Sequence, residues 1–257
     1  MKKSVATCCA VAAAVAPLIV LAPAAVADGS SDHQEMTLHA KLDPFKVNKV
    51  DGYGTAMVHL KGNTVKVELH AKGLLADAPH AQHFHIGAKG VCPPDSAATK
   101  HNGKLALSTV DGQPFYGMIG ASLTTTGDTS ANSALAVDRF PVGSDIRYER
   151  TFDVNDATAK SLREGTAVVV VHGIDYNGNG KYDNVLGPSQ LDPTLPLEAT
   201  APALCGPLMK SPKGSVDGGQ GGTQESGPVA QEAAGGAGLL AAAGGLFYLR
   251  RRTAAQK

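Results

Sequence analysis

The sequence predicts an all-β domain, an antiparallel Greek-key barrel or sandwich of about eight strands. Three observations carry that expectation. Apolar and polar residues alternate over many short segments, Gly and Asn stand between them where tight turns form, and one short stretch has helical spacing with both a start and a stop signal.

The clearest pair of strands adjoins a turn. In Val65-Lys66-Val67-Glu68-Leu69-His70 every second residue is apolar, as a strand with one buried face requires. The run 55–61 alternates in the same way, and Lys61-Gly62-Asn63-Thr64 between the two is hairpin chemistry, since Gly and Asn tolerate positive φ. Further strands are expected over 35–42, 83–87, 105–110, 117–123, 134–140, 147–154 and 166–173. A helix is expected over 156–163, opened by Asn155 as N-cap and stopped by Gly165. No repeat at solenoid or propeller spacing is present.

The two ends have a different grammar. Lys2 and Lys3, an apolar stretch from Val11 to Leu21 and the small residues Ala25-Val26-Ala27 predict a secretory signal peptide over 1–27. The globular domain is expected over 28–206. From 207 to 232 the chain is rich in Gly, Ser, Pro and Gln and reads as a flexible linker. An uncharged, Ala- and Gly-rich apolar helix then leads to Arg250-Arg251-Arg252, predicting a C-terminal anchor over 233–252 with an arginine stop. The same order also resembles a wall-sorting tail, although Thr223-Gln224-Glu225-Ser226-Gly227 is only a degenerate sorting motif. Either way the domain is expected outside the cell, attached to the membrane or wall.

Cys8 and Cys9 fall in the segment expected to be removed, which leaves Cys92 and Cys205. Two cysteines in an exported domain are expected to pair. Across the whole chain 23 Lys and Arg balance 23 Asp and Glu, and within 28–206 acidic residues outnumber basic ones. That balance excludes a nucleic-acid-binding surface of the usual basic kind.

The histidines are unevenly spread. His80-Ala81-Gln82-His83-Phe84-His85 brings three imidazoles together, and on a strand the rings of His83 and His85 share one face, where two nitrogens can grip a metal ion. A third ligand is expected from another strand, and His172, at the end of Ala167-Val168-Val169-Val170-Val171, is the candidate. His39, His59 and His70 fall on polar strand faces and are expected to be solvated.

With those segments in view, the chain resembles the secreted copper-zinc superoxide dismutases. Gly54-Thr55-Ala56, Val65-Lys66-Val67, Lys72-Gly73-Leu74 and His80-x-x-His83-x-His85 followed by Cys92 are similar to the first half of that family. Gly165-Thr166-Ala167 through His172, and then Leu204-Cys205-Gly206, are similar to the second half. The resemblance implies a flattened eight-stranded Greek-key barrel, copper held by His83, His85 and His172, catalysis at those residues on superoxide, His80 as a supporting residue behind them, and a Cys92–Cys205 disulfide.

The pattern also departs from the family. Between Cys92 and His172 the only histidine is His101, a fourth candidate ligand that lies farther past the cysteine than the family's bridging residue, so no complete zinc subsite is expected. Ala201-Pro202-Ala203-Leu204-Cys205 lacks the arginine that steers superoxide in the family, and Gln82 stands where an apolar residue is usual. The stretch from Lys72-Gly73-Leu74 to His83-Phe84-His85-Ile86-Gly87-Ala88 also resembles the CHRD domain, which implies a non-enzymatic surface module binding metal, matrix or protein.

Asp175-Tyr176-Asn177-Gly178-Asn179-Gly180-Lys181-Tyr182-Asp183 copies the first half of an EF-hand loop, which would make Asp175, Asn177, Asn179 and Asp183 calcium ligands. Leu186 replaces the bidentate acid that such a loop needs, and the alternative is a turn-rich loop beside the histidines.

Overall fold

A computed structural model describes residues 35–211. The expected signal peptide (1–27), the expected anchor (233–252) and the linker beyond residue 211 lie outside the described residues. Among the described residues, no helix is long and apolar enough to cross a membrane.

The described residues are mostly β. Their strands are β1 (Met36–Pro44), β2 (Tyr53–Lys61), β3 (Thr64–Lys72), β4 (Gln82–Ile86), β5 (Thr99–His101), β6 (Lys104–Ala106), β7 (Met118–Ser122), β8 (Asp145–Asp153), β9 (Val168–His172), β10 (Pro202–Pro207) and β11 (Met209–Lys210). Three short helices interrupt them: α1 (Thr109–Tyr116), α2 (Asp156–Glu164) and α3 (Leu197–Thr200). Eight strands form one antiparallel sheet curled into a half-barrel, in the order β7-β4-β9-β10-β1-β2-β3-β8, with β11 added to β1 and β5–β6 a separate hairpin. The meander β1-β2-β3 is local. The connections from β3 to β4 and from β8 to β9 cross to the other half, and so place β4 beside β9.

The expected alternation builds the inner face. Leu38 and Leu42 of β1, Val58 and Leu60 of β2, and Val65, Val67 and Leu69 of β3 join one buried core, while their neighbours face outward. Gly62 takes a φ of 59° in the β2–β3 turn, the backbone state for which glycine carries no Cβ penalty. The outer strand β8 is tied by side chains to the segment just after β7: Tyr148 Oη donates to the Thr124 carbonyl at 3.3 Å and Arg150 Nη1 donates to the same oxygen at 2.7 Å.

β9 differs because both of its faces are buried. Val169 and Val171 enter the main core, whereas Val168 and Val170 pack outward with Phe45, Leu107, Tyr116 and Cys205. An unbroken valine run, without alternation, is the sequence form of such a strand. The cover over its outer face is the β4–β7 connection, anchored by a Cys92–Cys205 disulfide whose Cα atoms are 5.9 Å apart and whose loop spans 113 residues.

Two expected strands take another form. Only Lys104–Ala106 of the 105–110 run pairs, and the chain then turns into α1, because Ser108 and Asp111 form a reciprocal capping box. The 134–140 run is not a strand either. One single turn of 3-10 helix, Ala131–Ser133, precedes it and a second, Val137–Arg139, lies within it, held by Asp128, which accepts from both Ser130 and Ser133, and by Arg139, which donates to Thr126 and Asp128. The helix over 156–163 forms as expected, with the Asn155 side chain accepting from Thr158 and Gly165 ending it. The sheet also continues past residue 206, since Met209 and Lys210 pair with His39 and Leu38.

Candidate metal centre

The register of β4 against β9 assembles the centre. His83 lies opposite Val170 and His85 opposite Val168, so both rings project to the outer face of the valine strand, the face to which His172 also belongs. Gln82 and Phe84 alternate to the inner side. The ring centroids of His83, His85 and His172 are 5.9, 5.1 and 5.7 Å apart. One ring nitrogen from each lies within 4.8 Å of the other two. All three side chains are buried, none more than 2% exposed.

Hydrogen bonds fix each ring and its tautomer. His83 Nε2 donates to the Ala134 carbonyl at 3.1 Å, His85 Nδ1 to the Gly117 carbonyl at 3.0 Å, and His172 Nδ1 to the Thr200 carbonyl at 2.8 Å. A carbonyl oxygen only accepts, so each of these nitrogens carries the proton and its neighbour keeps a bare lone pair. The remaining atoms, His83 Nδ1, His85 Nε2 and His172 Nε2, are buried without a hydrogen-bond partner. Three buried, unsatisfied acceptors at one place are costly unless something binds them.

Electrostatics keep the trio neutral. Burial pushes the His83 imidazole well below its ordinary pKa, with the neighbouring His172 and His85 adding to the effect. His85 falls to about 4, again through burial. His172 falls to about 3, through burial first and the nearness of His85 second. A metal ligand must be deprotonated, and these rings are so across the neutral range. Shared coordination at roughly 2.0–2.1 Å from each nitrogen calls for donors a few ångströms apart, which the trio supplies. Imidazole suits copper, zinc, iron and nickel, so the donor set fits a transition-metal ion.

Aromatic rings pack against two of the three histidines. Tyr116 lies against His85 with ring centroids 4.4 Å apart, and Phe140 against His83 at 5.4 Å. Thr109 donates to the same Thr200 carbonyl that holds His172. These partners escaped sequence reasoning. Carbonyl acceptors leave no trace in residue type, but the Ser108-x-x-Asp111 capping box was a legible signal that Thr109 begins a helix.

Other singled-out residues sit elsewhere. His80 stands between two carbonyl oxygens, with Nδ1 2.8 Å from His172 O and Nε2 2.9 Å from Leu75 O, and so supports the backbone of His172. His101 is on the β5–β6 hairpin, its Nε2 2.8 Å from Asp111 Oδ2, and it is not among the three residues that could together hold a metal ion. In the 175–183 loop the Asp175 carboxylate accepts from the backbone of Gly178, Asn179 and Gly180, and Asp183 Oδ2 accepts from the side chains of Asn177 and Asn179. Both oxygens of Asp175 and Oδ2 of Asp183 are thus engaged by the loop's own amides.

No protein-family model matches the chain, and no curated protein matches it in sequence.

Proposed function

We propose that the chain is an extracytoplasmic copper-binding protein of the superoxide dismutase type, in which His83, His85 and His172 hold one copper ion. The observation that carries this reading is the set of three bare, buried imidazole nitrogens brought together from two strands. The resemblance supplies copper as the metal and superoxide as the substrate. A CHRD-like binding module gives His172 no reason to meet the H-x-H pair, so the convergence favours the copper reading. The Cys92–Cys205 disulfide accords with an oxidising compartment, and the chain's ends with export and surface anchoring.

Copper, when bound, supplies one-electron redox chemistry, oxidising one superoxide to oxygen and reducing the next, with two protons, to hydrogen peroxide. The protein's part is preorganisation. The carbonyls of Ala134, Gly117 and Thr200 orient the three rings, burial keeps them unprotonated, and Tyr116 and Phe140 pack against His85 and His83.

The test is copper titration of the mature protein followed by a superoxide-decay assay. One copper per chain is expected, with affinity lost at least about 100-fold in His172→Ala. Copper uptake undiminished in that variant would overturn the site. Tight uptake without superoxide decay would retire the enzymatic half and leave the copper site standing.

A further inference from the structure

Resting on the copper reading above, we propose that a pocket beside His85 is the route by which the metal arrives and that the Met118 thioether is its first ligand, receiving a cuprous ion before the histidines do. The three histidines are almost wholly buried, so an ion needs a path to them. A pocket of about 220 Å³ reaches that depth: His85 lines it together with Met118, Gln113, Val110, Ala134 and Leu191. Val110, Met118 and Leu191 are at the same time exposed, Met118 by 63%, so the pocket runs between solvent and the centre.

Its chemistry selects the ion. No lysine, arginine, aspartate or glutamate lines the pocket. Leaving water for uncharged walls costs a monovalent ion roughly a quarter of the Born penalty of a divalent ion of similar size, because that penalty grows with the square of the charge. A thioether is a soft donor that prefers Cu(I) to Zn(II) or Cu(II). Met118 begins β7, next to Ile119, which lies opposite His85 on the paired strands β7 and β4. The Gln113 side-chain amide contacts the Met118 sulfur, and both residues line the pocket.

The experiment follows copper uptake by stopped flow in the mature full-length protein, without oxygen, from a chromogenic cuprous chelate. Met118→Leu and Met118→Gln both remove the sulfur, and Leu191→Ala opens the rim without touching it. Both Met118 variants are expected to slow Cu(I) uptake by about tenfold or more while final stoichiometry stays at the wild-type value, and Leu191→Ala is expected to load at least as fast as wild type. Uptake from aqueous Cu(II) is expected to be insensitive to either Met118 change. Wild-type Cu(I) rates in either Met118 variant, or equal slowing of Cu(I) and Cu(II), would overturn the port. A wild-type protein that takes up no copper would instead sink the three-histidine reading, and the port with it.

Discussion

Gln82 is fully buried opposite Val171 on the inner side of β4, and neither its amide nitrogen nor its oxygen has a hydrogen-bond partner. Such a group carries its desolvation cost uncompensated. Gln82→Met is therefore expected to stabilise the protein by roughly 1–2 kcal/mol in urea denaturation, and a loss of stability would mean that the amide is satisfied. Gly117 is the opposite case. Its φ of 91° belongs to glycine, an added Cβ would stand 1.9 Å from the Ile86 carbonyl oxygen, and its own carbonyl orients His85. Gly117→Ala is expected to cost at least ~2 kcal/mol and to weaken metal binding together with stability, as paired denaturation and titration curves would show. At this scale the sequence was informative where the side chain itself does the work. His83, His85 and His172 could be picked out by spacing and position, whereas the carbonyls of Ala134, Gly117 and Thr200 belong to residues whose type says nothing of their role.

The β4–β9 pair decides the site among the elements, and the β4–β7 connection covers it. Cys92 and Cys205 hold that cover against β10, and their loop of 113 residues restricts the unfolded chain. Reduction, or Cys92→Ser with Cys205→Ser, is expected to lower stability by roughly 4–5 kcal/mol and to loosen copper binding, since Thr109 and Tyr116 lie on the released segment. Stability unchanged by a reductant would contradict this. Strands with clean alternation, β2 and β3 above all, were legible because one face is wet and one is dry. The 105–110 and 134–140 runs misled because their apolar residues follow no sheet ladder: a capping box starts α1 within the first, and hydrogen bonds to Asp128 and from Arg139 shape the second into turns. Strand β10 carried no alternation to read, since all but its last residue is buried.

For the whole molecule, the depressed histidines set a pH dependence. In the metal-free protein His85 titrates at about 4 and His172 at about 3 when folded, and near the ordinary value of 6.5 when unfolded. Above that value both states are neutral and stability does not change with pH through these groups. Below it the unfolded chain binds protons that the folded chain refuses, so stability falls steadily as pH drops from about 6.5 towards 4. Urea midpoints measured without metal are expected to show that decline, and a flat profile would mean that the rings are not buried as neutral bases. The fold class was legible because strand density and turn chemistry persist along the chain, but the crossing connections that place β4 beside β9 have no local signature and came into view only with the sheet order. That neighbourhood carries the account, and counting the imidazoles on the loaded ion probes it most directly. X-ray absorption of the copper-loaded mature protein is predicted to show scattering from three imidazole rings per copper, reduced to two in His172→Ala. A wild-type spectrum with fewer than three, or one unchanged by that substitution, would contradict it.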